Sequence, residues 1–230
     1  MSIAPLASLT IHDWFDGPYP ARVRIAIVEK NLQSRVRFQP VNLWTGEHKE
    51  PAFLAKNYSG TLPVLELADG TLIAECTAIT EYLDTLEGPA TLTGSTPLEK
   101  GVIHMMSRRA ELELLDAIST YFHHATPGLG PKVELYQNAE WGFRQRDRAL
   151  RAMHYFDSVL QTRPFIAGAA LSMADITVIG AFIFADIVKL AVPAELEALH
   201  GWHARMQQRA SVKAWQEMVA QTKAAAAVES

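Results

Sequence analysis

The chain changes character once. Over its first ~90 residues short strand-like and helical patterns alternate, and beyond them long helical patterns run to the end. In the first part, Leu9-Thr10-Ile11-His12-Asp13-Trp14 alternates weakly, as a strand does, and Gly17-Pro18-Tyr19-Pro20 is a turn cluster. Pro20 is suited to open a helix, where its missing N–H is not needed. Val23, Ala26 and Ile27 follow at helical spacing, and Asn31 is suited to end the helix in a left-handed conformation. Val36, Phe38 and Val41 bracket a second strand, with Arg35, Arg37 and Gln39 on its wet face. The polar run Thr45 to Pro51 leads into a short helix near Phe53 and Leu54. Asp69-Gly70 between two apolar runs predicts a hairpin spanning Pro63 to Ile73. Ile79, Tyr82, Leu83 and Leu86 then mark one face of a helix opening at Glu75-Cys76-Thr77.

The order strand, helix, strand, short helix, hairpin, helix builds a small sheet with helices on both faces, a thioredoxin-like α/β arrangement. We therefore expect a thioredoxin-like domain over residues 7–88, a linker over 89–97 rich in Gly, Pro, Ser and Thr, and an all-α domain over 98–222. Helical patterns cover Glu99–His124, Gln137–Leu160, Met173–Leu190 and Pro193–Met218. Ser172 and Asp175 have capping-box spacing, with Asp in place of the more common Glu. Val178, Ala181, Phe182 and Ala185 read as core packing.

Composition narrows the function classes. Of 230 residues, 49% are hydrophobic and 20% charged, which is ordinary for a globular protein. The net charge of −4 and the lack of a Lys/Arg run argue against nucleic acid as a partner. The single cysteine, Cys76, cannot form an internal disulfide and fits a reducing cytoplasm. The apolar stretch Ile176–Ala185 is far shorter than the ~20 residues of a membrane span. Met1 to Pro5 shows no basic, then apolar, leader pattern.

One constellation carries chemistry. Leu62-Pro63 at the head of a strand is a candidate cis peptide, which would turn the backbone of Leu62 outward to pair with an extended ligand; an edge-strand proline is the plainer reading. Glu75-Cys76 opens a helix, whose free N–H groups favour a bound carboxylate, while Glu75 could hold an ammonium. His48 and Lys49 form a cationic pair suited to a second carboxylate; taken alone, they are solvated loop charges. A ligand with a zwitterionic head, an extended middle and a far carboxylate is a description of glutathione. No metal is expected.

The stretches Pro20-Ala21-Arg22-Val23-Arg24, Gly46-Glu47-His48-Lys49, Asn57 to Leu67, and Glu75-Cys76-Thr77-Ala78-Ile79, with the capping box after Ala167-Gly168, resemble the cytosolic glutathione transferases. The resemblance spans essentially the whole chain and lies nearest a fungal-type branch with bacterial relatives, close to the phi and theta classes. It implies a homodimer acting in detoxification, with glutathione as co-substrate. Glutathione would be contacted by His48, Lys49, Thr61, Leu62 through its backbone, Pro63 beside it, Glu75 and Cys76. The last position is usually Ser in the family, so a weak S–H replaces a hydroxyl here.

A larger departure falls where many family members carry the side chain that activates the thiol. Aligning Arg22-Val23-Arg24 puts Gly17 there, which disfavours Cys-dependent thiol transfer; with no second cysteine, a disulfide exchanger is disfavoured too. A free thiol has a pKa near ~8.5, so something else must favour thiolate. The start of the first helix contributes electrostatically. His123, with Ser119 four residues earlier on the same helical face, could hold a water and draw the proton. His124, with Thr120 and Asp116 behind it, is the competing assignment, and two helix-end histidines the plain one. The Tyr19 hydroxyl is a third candidate. Phe15, Tyr19, Tyr121 and Phe122 are candidates for an apolar second-substrate pocket, or simply for core. The reaction expected is addition of glutathione to small apolar electrophiles, or reduction of peroxides with it. The alternative is a non-catalytic glutathione-binding regulatory or interaction module of the same fold.

Overall fold

A computed structural model describes residues 9–228. The leader reading of Met1 to Pro5, and the first two residues of the expected first domain, lie outside that range. The chain divides into two compact units: residues up to Gly88 together with those from Lys213 on, and Pro89–Val212 between them. The expected helical domain ran to residue 222, whereas the contacts place Lys213 onward with the first unit.

In the first unit, β1 (Leu9–Asp13), α1 (Pro18–Glu29), β2 (Val36–Pro40), α2 (Pro51–Leu54), β3 (Val64–Glu66), β4 (Leu72–Ala74) and α3 (Cys76–Leu86) follow in order. The sheet order is β2-β1-β3-β4, with β1 parallel to β2 and antiparallel to β3. Leu9 and Ile11 bury one face of β1 against Val23 and Ile27 of α1 and Ile79 and Leu83 of α3. Each such fully buried side chain contributes about 1.5–3 kcal/mol. Successive residues of β3 face opposite ways: Leu65 joins that cluster, while Val64 packs with Val41, Phe53 and Leu62 on the α2 side.

Helix α1 opens at Pro18, two residues before the expected Pro20, with Gly17 as N-cap. Pro18 meets the same requirement, since its missing N–H lies in the first turn. Asn31 does take a left-handed backbone, at φ 55°. Buried Arg24 donates to both carboxylate oxygens of Asp13, at 2.6 and 2.8 Å, and its guanidinium lies 3.7 Å from the centre of the Phe38 ring. Burial pushes the Asp13 carboxyl above its ordinary value, and the Arg24 charge and hydrogen bonds offset part of that.

In the second unit, the expected Glu99–His124 helix is α4 (Pro97–Arg109) and α5 (Asp116–Ala125), joined by a π-helical segment, Ala110–Leu115. Ala110, Leu114 and Leu115 of that segment are buried. Then come α6 (Ala139–Leu160), α7 (Met173–Ile187) and α8 (Glu197–Gln207). The expected Pro193–Met218 helix is broken after α8: Arg209 N–H turns back to the Met206 carbonyl, and α9 (Ala210–Val228) begins. Helix α7 is buried almost all round, including Val178, Ala181, Phe182 and Ala185.

The N-terminus of α7 is anchored by Asp175, which is fully buried. Its carboxylate accepts from the Ser172 N–H and hydroxyl (both 3.0 Å), the Ile166 N–H (2.9 Å) and the Trp202 indole N–H (3.1 Å). Desolvation still dominates and pushes its pKa up to about 6.

Candidate functional site

Strand register gathers the expected ligand groups of the first unit at one end of its sheet. Asp13 at the end of β1 pairs with Pro40 at the end of β2, His12 pairs with Val64, and Val64 pairs with Ala74. The antiparallel β3–β4 pairing therefore sets Glu75 alongside Pro63. The Leu62-Pro63 peptide is cis. The loop after β2, the start of α1 and the start of α3 emerge at the same end.

Glu75 is the N-cap residue of α3, at φ 70°, ψ 121°, a conformation costly for a non-glycine residue by about 1–3 kcal/mol. Its own side chain is exposed, and no side chain caps the helix. An uncapped N-terminus with an exposed carboxylate beside it offers N–H donors to an anion and a counter-charge to a cation. The Thr77 hydroxyl oxygen is buried in that first turn without a hydrogen-bond partner among the described residues. The sequence pattern gives Thr77 no site role, although a hydroxyl residue in a first helical turn is the available signal.

Two expected groups, Cys76 and His48, are placed differently from what the sequence pattern implies. The Cys76 thiol is buried among Ile79, Leu83 and Val23, and its S–H donates to the Tyr19 carbonyl at 3.4 Å. The sulfur is thus turned to the core, leaving the backbone N–H as the Cys76 group suited to a ligand. His48 is only 3% exposed, so it is not half of a solvated cationic pair. Lys49 is exposed, and its ammonium donates to the carbonyls of Ser59 (3.2 Å) and Gly60 (2.8 Å). Partial burial lowers its pKa. The approach requires glycine at position 60: φ is +58°, and a Cβ there would lie 2.7 Å from the His48 carbonyl oxygen. Thr61 follows directly, its hydroxyl bonded to the buried Asn57 amide (3.0 Å) and to Ser59 (2.7 Å). Tyr19 packs its ring against the core of the first unit, and the Phe15 ring meets Trp14 at a tilt of 53°, their centres 5.1 Å apart.

Gly17 leaves little room for a side chain. A Cβ would lie 3.0 Å from Pro20 Cδ and 3.3 Å from the Trp14 carbonyl oxygen.

In the second unit, Ser119 and His123 both fall within α5, so the π-helical segment before it does not disturb their shared face. His123 Nδ1 lies 2.7 Å from Glu134. His124 is occupied otherwise: its Nδ1 accepts the Asn138 N–H at 3.1 Å, at the start of α6, and its ring meets Tyr136 edge-on. Phe122 packs against Phe184 and Tyr121 against Phe143. Nothing in the sequence pattern marked Glu134, because it lies in a loop eleven residues beyond the histidine. Among the described residues no three His, Cys, Asp or Glu side chains are grouped to hold a metal, and no helix is long and apolar enough to cross a membrane.

Family models match both units: glutathione S-transferase N-terminal domain over residues 16–86 and glutathione S-transferase C-terminal domain over 110–210. The chain belongs to the glutathione S-transferase family. It is 72% identical over 205 residues to glutathione S-transferase 2 of Saccharomyces cerevisiae, covering 89% of this chain and 88% of that protein. The crystal structure of Gtt2 from Saccharomyces cerevisiae superposes with a TM-score of 0.89 at 72% identity, covering 90% of this chain and 99% of that one. A glutathione S-transferase domain-containing protein of Marinobacter aquaeolei gives a TM-score of 0.86 at 46% identity, covering 88% and 99%. The expected glutathione transferase fold, a thioredoxin-like α/β unit and a helical one, is the one observed, and a bacterial relative stands beside the fungal one.

Proposed function

We infer that this protein is a glutathione transferase that joins the sulfur of glutathione to small apolar electrophiles. The observation that carries the reading is the start of α3: an uncapped helix N-terminus, the positive-φ Glu75 and the adjoining Pro63, in a chain 72% identical to a protein named glutathione S-transferase 2.

In this reading the N–H groups at the start of α3 take the carboxylate of the γ-glutamyl head and Glu75 takes its ammonium. The Leu62 backbone pairs with the middle of the peptide, and Lys49, near Thr61 and the buried His48, faces the far carboxylate. His123, with Ser119, holds a water that passes the thiol proton to the imidazole. The thiolate then attacks the electrophilic carbon, the C–S bond forms, and the leaving group departs with its electron pair. The His124 Nδ1 lone pair is engaged by Asn138, which favours His123 for the proton. Peroxide reduction at the same thiolate, a homodimeric assembly, a cytoplasmic setting and a role in detoxification belong to the same reading.

The test is saturable, glutathione-dependent conjugation of a generic aryl halide. Within it, Glu75→Ala is expected to weaken glutathione binding about 10–100-fold by titration calorimetry, the range set by about 1.5–3 kcal/mol for a hydrogen bond to a charged group. Unchanged affinity removes Glu75 from the site. Gly17 supports one competing reading, a glutathione-binding module without turnover, because the start of α1 carries no hydroxyl or thiol at that position. Full binding with no conjugation decides for it.

A further inference from the structure

We propose that Glu134 is a positioning residue that fixes the tautomer of His123. The proposal rests on His123 acting as the base in the reading above. A carboxylate only accepts hydrogen bonds, so its 2.7 Å contact places a hydrogen on His123 Nδ1. The lone pair is then on Nε2, the nitrogen left to take a proton. His124 is in the opposite state: its Nδ1 accepts the Asn138 N–H, so its own hydrogen is on Nε2. Two adjacent histidines are thereby given different chemistry by their partners.

The carboxylate is held by more than the histidine. The same oxygen accepts the Leu129 N–H at 2.8 Å. The Glu134 N–H closes a turn onto the Gly130 carbonyl at 3.0 Å, and the Gln137 amide donates to the carbonyls of His123 (2.7 Å) and Thr126 (2.8 Å). A Cβ on Gly128 would lie 2.2 Å from the Glu134 carboxylate oxygen, so the glycine keeps that space open. The Glu134 side chain is 9% exposed against 36% for His123. A solvated ion pair contributes little and needs no such enclosure; an enclosed acceptor aimed at one ring nitrogen is how an imidazole is oriented for proton transfer.

The test uses the full chain with ¹⁵N-labelled histidine and three variants: Glu134→Ala, Glu134→Gln and His123→Ala. Expected in the wild type is His123 with hydrogen on Nδ1, its signals assigned by their loss in His123→Ala. Expected in Glu134→Ala is a shift toward the Nε2–H tautomer, with kcat about 10–100-fold lower and KM for glutathione unchanged. Glu134→Gln, which keeps an acceptor oxygen, restores the Nδ1–H tautomer and most of kcat. Glu134→Ala causes no further loss when added to His123→Ala. A wild-type His123 with hydrogen on Nε2 overturns the proposal even if Glu134→Ala does not fold. So does a loss in Glu134→Ala that adds in full to that of His123→Ala. Wild-type kcat in Glu134→Ala with His123→Ala impaired overturns the role of Glu134 alone. Wild-type kcat in His123→Ala overturns the base assignment, and the positioning role with it.

Discussion

Alanine at His123 is expected to lower kcat for aryl halide conjugation about 10²–10⁴-fold, the contribution of a positioned general base. KM for glutathione should hold nearly steady, because the residues proposed to bind it, Lys49, Thr61, Leu62, Glu75 and Cys76, do not include His123. The rise of kcat with pH through neutrality should flatten, since the variant has no imidazole at this position to accept the proton. His124→Ala is the control. That ring caps the start of α6 through Asn138, so its loss should show in thermal stability rather than in the pH profile. An unchanged pH–rate profile in His123→Ala excludes it as the base.

The second large effect concerns stability. Asp175→Ala leaves the Ile166 N–H, the Ser172 N–H and the Trp202 indole N–H buried without their acceptor. An orphaned buried donor costs about 1–3 kcal/mol, and a lost helix cap typically about 1 kcal/mol. Because these terms overlap at one carboxylate, a total of about 3–5 kcal/mol is expected, lowering the melting temperature by roughly 10 °C. A scan showing less than a few degrees would contradict the network's importance.

The same residue fixes a pH dependence. Its pKa rises on folding from the model-peptide value of 3.8 to about 6, so the folded chain binds this proton more tightly. The stabilisation is therefore complete below the unfolded value, and it is lost as pH rises through about 6. Measured as the difference between wild type and Asp175→Asn, stability should fall from pH 4 to pH 6 and then level off. A difference that is flat over this interval, or that rises, contradicts the assignment.

Much of the fold was legible because local rules decide it. Asp69-Gly70 announces its hairpin, Asn31 its helix end, and Ser172 with Asp175 the start of α7. What escaped depends on contacts distant in sequence or on hydrogen-bond details that periodicity does not register. The slip to π-helix at Ala110–Leu115 keeps an apolar pattern while changing the ladder. The break between α8 and α9 has no proline or glycine to mark it. At the candidate site, Pro63 and Glu75 were legible from chain-local chemistry. The direction of the Cys76 sulfur was not, because its acceptor lies 57 residues away. Nor was the enclosure of Glu134, which depends on how the loop after α5 closes.

Helix α9 returns to the first unit, where Lys223 pairs with Asp16 at 2.9 Å and Met218 meets the Arg24 guanidinium. That unit is consequently discontinuous, and no single cut of the backbone separates the halves. A fragment ended at Gly88 forfeits both partners. An excised first unit would have to be a permuted polypeptide, with the last helix spliced directly onto the early residues.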